Sequence, residues 1–308
     1  MTERMRVEEL KMRSQKLVMT IVFIAVLSSA QVYIRSVAAA DNLGALPEEQ
    51  AAFARRTLEF IEKMDSMHFG RTERLNSGLE LETLNLETEF SSYDVKVARG
   101  SVIEKTGRVI TISRRPAAQF QRQNLWGRFF SLDVHPRSPL VGILHAAFVV
   151  QFYPDGTSTI GGTLDVLRGA NVEEDLTYLK GVMDDVYEKY GVDSAPHREL
   201  ICKRDGEETN RWRRRSACVG GSFYGADTMT VTEENFRFMT EAYERFVDAY
   251  LTIVEKRKAD SYTEEDLAAQ DAMRRNWLED HLFVDPYTSN ITPYEAWSLY
   301  SLPPSVKF

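Results

Sequence analysis

Residues 143–153 (Ile143-Leu144-His145-Ala146-Ala147-Phe148-Val149-Val150-Gln151-Phe152-Tyr153) are apolar on both faces of an extended chain, the pattern of a central strand. Pro154-Asp155-Gly156 turns that run into a second extended segment at 157–166, and 128–134 supplies a strand before it. Upstream, over 79–114, Leu79 and Leu81, then Val95 and Val97, alternate with polar residues. Glu104-Lys105-Thr106-Gly107 reads there as a turn before Val109-Ile110-Thr111-Ile112. This is the grammar of antiparallel hairpins.

Helical periodicity lies on either side of that block. Pro47-Glu48-Glu49 opens a helix, with proline in its first turn and acids against the dipole, and Phe53, Leu58, Ile61 and Met64 carry it to about residue 66. Further helices are predicted at about 172–190, closed by Gly191, and at about 196–208. A short strand at 217–224 precedes a long amphipathic helix over 231–258, started by a capping box of Thr230 with Glu233. Two more follow at about 263–280 and 292–301. Strands mostly come before helices, without repeated strand–helix–strand crossovers. The fold class is therefore α+β with a large, mostly antiparallel sheet.

The chain has 308 residues, with 46 acids against 38 bases, so no nucleic-acid partner is expected. Residues 1–30 form a separate unit: five basic and three acidic side chains in 1–16 precede an apolar core of eleven residues, Leu17–Leu27. A membrane span needs roughly twenty. Ser28-Ser29-Ala30 offers a small-residue cleavage site, with Ala38-Ala39-Ala40 as a second; extended to Ile34, the stretch reaches eighteen residues. A signal peptide for export and an uncleaved N-terminal membrane anchor are the two readings. Residues 31–46 are a linker and 47–308 a single domain. Cys202 and Cys218 either close a short loop as a disulfide or stay as buried thiols, and two cysteines make no metal site.

The ionisable residues that stand out are His145 within the central strand, Asp165 after Gly161-Gly162-Thr163-Leu164, and Asp285 between Val284 and Pro286. Carboxylates in apolar settings gain proton affinity and serve as bases. Each residue also has an ordinary structural role: a hydrogen-bonded core histidine, an acid after a glycine bend, a turn cap. Arg211, Arg213, Arg214 and Arg215 around Trp212 form either a carboxylate- or phosphate-binding group or a solvated basic loop. P-loop, GxGxxG, HExxH and GxSxG signatures are absent.

Taken in order, these segments resemble the oxygen-dependent coproporphyrinogen III oxidases. Glu104–Ser113 is similar to the family's EKAGV strand, and Val134-His135-Pro136-Arg137-Ser138-Pro139 with His145 to its HPxNPH…H segment. Gly161-Gly162-Thr163-Leu164-Asp165 matches a glycine-rich stretch ending in an acid. Arg214-Arg215, Gly220-Gly221-Ser222-Phe223-Tyr224 and Glu233–Phe238 resemble RRGIGG…EEVFRF. Trp277-Leu278-Glu279, Asp285 and Ser301-Leu302-Pro303 complete a likeness over about residues 50–304. The resemblance implies a sheet with helices on both faces, a homodimer, no metal and no organic cofactor, and molecular oxygen as co-substrate. It implies a porphyrinogen substrate whose propionates become vinyl groups. It makes Asp285 the carboxylate against the ring nitrogens, with His145 and Asp165 orienting the macrocycle or shuttling protons. Arg214, Arg215, Gly161, Gly162, Gly220 and Gly221 become the substrate-binding residues.

The chain departs from the family where Ala147 and Val149 replace Asn and Arg, where Pro286 replaces an Arg, and where Gly225 and Ala226 replace an acidic pair. Losing a charged partner in a dry pocket costs a carboxylate ligand about 2–5 kcal/mol. The pocket is correspondingly more apolar. That leaves three expectations: a divergent oxidase, a non-catalytic tetrapyrrole-binding envelope protein, or an oxidase of the same fold with a more apolar substrate.

Overall fold

The computed structural model describes residues 43–113, 122–204, 213–225, 228–285, 288 and 292–307. The predicted leader and most of the linker, Arg211, Trp212, Ala226 and Pro286 lie outside these. Residues 1–46 group as one unit, of which a short 3-10 turn, Leu43–Ala45, is described. Residues 47–308 form the other. No described helix is long and apolar enough to cross a membrane.

The larger unit is built on a seven-stranded antiparallel meander: β1 (Glu80–Glu87), β2 (Ser91–Arg99), β3 (Ile103–Ser113), β4 (Trp126–Pro136), β5 (Leu144–Phe152), β6 (Ser158–Val166) and β7 (Gly221–Ser222). Helix α1 spans Glu48–Asn76, α2 Glu173–Tyr190, α3 Ser194–Arg204, α4 Glu233–Arg257, α5 Glu264–Phe283 and α6 Tyr294–Ser301. The architecture is α+β.

Period-two alternation along β5 assigns its residues to two faces. Phe148 points to one side, where its ring meets Phe60 of α1 at 4.9 Å and Tyr243 of α4 at 6.3 Å. Phe130 of β4 joins Tyr243 from the same side, and all three of Phe130, Phe148 and Tyr243 are at most 1% exposed. Burying such a side chain contributes about 2–3 kcal/mol, which makes this the principal core. On the other face, Ala296, Trp297 and Tyr300 of α6 pack on Tyr93, Val95, Val97 and Val109 of β2 and β3. Trp277 and Met273 of α5 cover Ile143 and Leu167 at the end of β5 and β6.

Four local expectations change. Helix α1 continues ten residues beyond the expected end at 66, because His68, Phe69, Thr72 and Leu75 keep a buried face, with His68 Nε2 2.8 Å from Thr106 Oγ1 of β3. Glu104–Gly107 is inside β3, not a turn; a side chain at Gly107 would collide with the Tyr300 backbone, so the glycine lets α6 approach the sheet. The 217–224 segment is strand only at 221–222, its pairing shortened where Cys218 adopts φ 58°. Helix α4 is capped by Thr232, whose hydroxyl accepts from Asn235 N at 3.2 Å, while the capping box sits on α5, between Thr263 and Asp266.

Candidate active site

Strand register builds the site. In β4, β5 and β6, Asp133 stands directly opposite His145, and His145 opposite Asp165, so the three side chains form a row on the face away from Phe148. The next row in the same direction is Ser131, Ala147 and Thr163, and the one after it Phe129, Val149 and Gly161. This face borders a cavity of about 760 Å³. His145, Asp165, Asp285 and Arg214 all line it, joined by Trp277 and His281 of α5 and Tyr300 of α6. Such a volume lies in the ~300–1,000 Å³ range of small-molecule sites.

Asp133 is fully buried and its Oδ1 accepts from His145 Nδ1 at 2.6 Å. Burial raises this carboxyl, but the adjacent His145 charge and hydrogen bond outweigh it, and the net shift is below the usual carboxylate value. A carboxylate acceptor assigns a proton to Nδ1, so Nε2 is the ring nitrogen outside that bond. Trp277, at 0% exposure, donates Nε1–H to the Ser301 carbonyl at 2.9 Å. Its ring lies 5.3 Å from His145 and 4.3 Å from His281. His281 Nδ1 donates to the Trp277 carbonyl at 2.8 Å, so its Nε2 accepts from the Ser301 hydroxyl, also at 2.8 Å. Burial holds the His281 imidazole down at about 4, so it is neutral near pH 7.

Asp165 is 3% exposed and accepts from the Ser216 hydroxyl and from Val219 N at 3.2 Å. Burial nevertheless raises its carboxyl to about 6, against those opposing hydrogen bonds. The Ser216–Val219 segment is tied to α3 by a Cys202–Cys218 disulfide, Cα to Cα 5.6 Å, so the two cysteines are paired and not free thiols. Asp280, fully buried in α5, accepts Arg213 N at 2.8 Å and Arg214 N at 2.9 Å through its two oxygens. Its carboxyl is raised by burial, which those two N–H donors oppose. The Arg214 guanidinium then lies 5.0 Å over the Trp277 ring. Asp285 follows α5 directly, half-buried, its N–H donating to the Asp280 carbonyl at 2.7 Å.

The coproporphyrinogen III oxidase family profile matches residues 49–308. The chain belongs to that family. A relative named oxygen-dependent coproporphyrinogen-III oxidase, from Francisella philomiragia subsp. philomiragia, is 29% identical over 205 residues, which is 60% of this chain and 64% of the relative. The match thus spans less than two thirds of the relative's length.

The coproporphyrinogen oxidase resemblance singled out nine residues, and the fold sorts them. His145, Asp165, Asp285 and Arg214 share the cavity. Arg215 is exposed and outside the lining; its carbonyl accepts from Arg168 N at 2.7 Å. The four glycines also lie outside the lining and serve close packing: a Cβ at Gly161 would meet the Phe223 carbonyl, at Gly162 that of Ala147, at Gly220 that of Leu164, and at Gly221 the Tyr187 hydroxyl. Gly162 additionally needs its φ of 150°. Of the family departures, Val149 and Gly225 line the cavity, and Ala147 is buried in the sheet between Val149 and His145. Sequence reasoning missed Asp133, His281 and Asp280. The signal for Asp133 is its register with His145, which residues 137–143 between the strands obscure.

Proposed function

We propose that this protein catalyses oxygen-dependent oxidative decarboxylation of porphyrinogen propionates within the cavity. The observation that carries the reading is the convergence of His145, Asp165, Asp285 and Arg214 on one hollow of about 760 Å³ in a member of this family. One wall is the sheet face that carries Phe129, Ser131, Val149 and Thr163, against which a macrocycle can lie. Each propionate loses carbon dioxide, one proton from the carbon next to the pyrrole and two electrons to become a vinyl group, while oxygen takes up those two electrons, that proton and one more from solvent as hydrogen peroxide. The barrier is lowered by removing a pyrrole N–H proton, and Asp285 sets a half-buried carboxylate against the ring nitrogens, where it stabilises their N–H groups and the charge that develops as one of them is deprotonated. Arg214, anchored by Asp280 and stacked on Trp277, supplies a fixed cation for a propionate. Arg122, over the Tyr153 ring at 4.1 Å, is a second arginine on the lining.

The test is incubation of the purified protein with coproporphyrinogen III, in air and under argon, with chromatography of the porphyrins and a peroxide assay. Vinyl products and peroxide are expected in air alone; absence of both in air contradicts the reading. A second reading rests on Val149, an apolar lining residue where the family carries Arg. It predicts preference for a porphyrinogen with fewer propionates, or porphyrin binding without any decarboxylation.

A further inference from the structure

We infer that Asp133 and His145 act as a unit in which His145 Nε2 takes a proton from the bound substrate and Asp133 is the positioning residue that makes this possible. The inference rests on the reading above for its substrate, and on geometry for its residues. Asp133 is set opposite His145 by the β4–β5 register, is 0% exposed, and contacts the His145 ring at 2.6 Å. It does not reach the cavity lining itself, so it can act on a ligand only through the imidazole.

The other histidines are engaged elsewhere. His68 faces Thr106, on the α1 side. His135 Nε2 donates to the Ser301 carbonyl, fully buried. His197 is turned to the Ser222 carbonyl. His281 reaches the cavity but spends both nitrogens on Trp277 and Ser301. His145 differs from all four: its side chain is 26% exposed, it lines the cavity, and its Nε2 has no protein partner among the described residues. In the step proposed, a pyrrole N–H bond breaks and an Nε2–H bond forms, the electron pair staying on the substrate nitrogen. The imidazolium so formed lies between Asp133 and Asp165, with Asp285 and His281 facing the same hollow and Arg214 across Trp277. The negative row in the sheet offsets the new charge.

The test uses the full-length protein labelled with 15N-histidine, and Asp133→Asn and Asp133→Glu variants. In the ligand-free native protein, His145 is expected to carry its proton on Nδ1; in Asp133→Asn, whose amide can donate to Nδ1, the proton moves to Nε2. With coproporphyrinogen III, kcat of Asp133→Asn is expected to fall about 100-fold or more while KM stays within about threefold, the range of general-base effects. Asp133→Glu, which retains an acceptor, should recover part of the rate. Native His145 protonated on Nε2 would overturn the inference, as would an unchanged kcat in Asp133→Asn. If native protein gives no turnover, the proposed reaction fails, and the nitrogen shifts still decide whether Asp133 sets the tautomer.

Discussion

Replacing Asp165 by Asn should change how stability depends on pH, by an amount that follows from the site. In the folded protein the Asp165 carboxyl lies at about 6, raised from 3.8 by burial. A folded value above the unfolded one means that the native state binds the proton more tightly, so this group stabilises most at low pH. That contribution is lost as pH rises through about 6. The full difference is about 3 kcal/mol, of which about 2 kcal/mol falls between pH 4 and pH 7. Asn removes the titration and keeps an acceptor for Val219 N–H. The histidines act in the opposite direction: burial depresses His68 and His135 to about 3 and His281 to about 4, so they favour the native state above the ordinary histidine value and oppose it on acidification. Total stability therefore does not isolate Asp165; the difference between the two proteins does. Urea unfolding at several pH values should show Asp165→Asn gaining about 2 kcal/mol relative to the parent between pH 4 and pH 7. A difference independent of pH would refute the reasoning about this carboxyl.

Phe148→Ala should cost about 3–5 kcal/mol, because the ring is fully buried between α1 and α4; a loss under about 1 kcal/mol in urea unfolding would show that the core can collapse around the gap. Opening the Cys202–Cys218 bridge, with 16 residues of sequence separation, should lower stability by about 3 kcal/mol in a Cys202→Ala/Cys218→Ala variant. An unchanged midpoint would contradict this. Asp280→Ala removes two charge-assisted acceptors from the Arg213–Arg214 backbone and should destabilise by roughly 3 kcal/mol; stability equal to the parent would show that the loop is held by other contacts.

Much of this architecture is legible in the residues. The two-sided apolar run of β5 and its Pro154-Asp155-Gly156 turn identify the sheet centre, and Gly191, at φ 64°, ends α2 where expected. His145, Asp165 and Asp285 stand out as acids and a histidine in apolar contexts. Asp133 does not, since an aspartate in a strand declares its face only once register is known, and no hairpin turn fixes the β4–β5 register. Gly161 and Gly162 permit close approach of either a ligand or another backbone, and the fold uses them for backbone, the Phe223 and Ala147 carbonyls. Thr230 and Thr232 both precede the acids of α4, and the chain's path selects the second.

The central claim is that a tetrapyrrole lies on the sheet face beside His145 and Val149, beneath Trp277. Titration with coproporphyrin III, followed by quenching of protein fluorescence, tests it directly when native protein is compared with Val149→Glu, which sets a negative charge in the middle of that wall. Saturable binding by the native protein, weakened at least tenfold in a folded Val149→Glu variant, is the predicted result. Equal affinity in both proteins would place the ligand elsewhere and contradict the account.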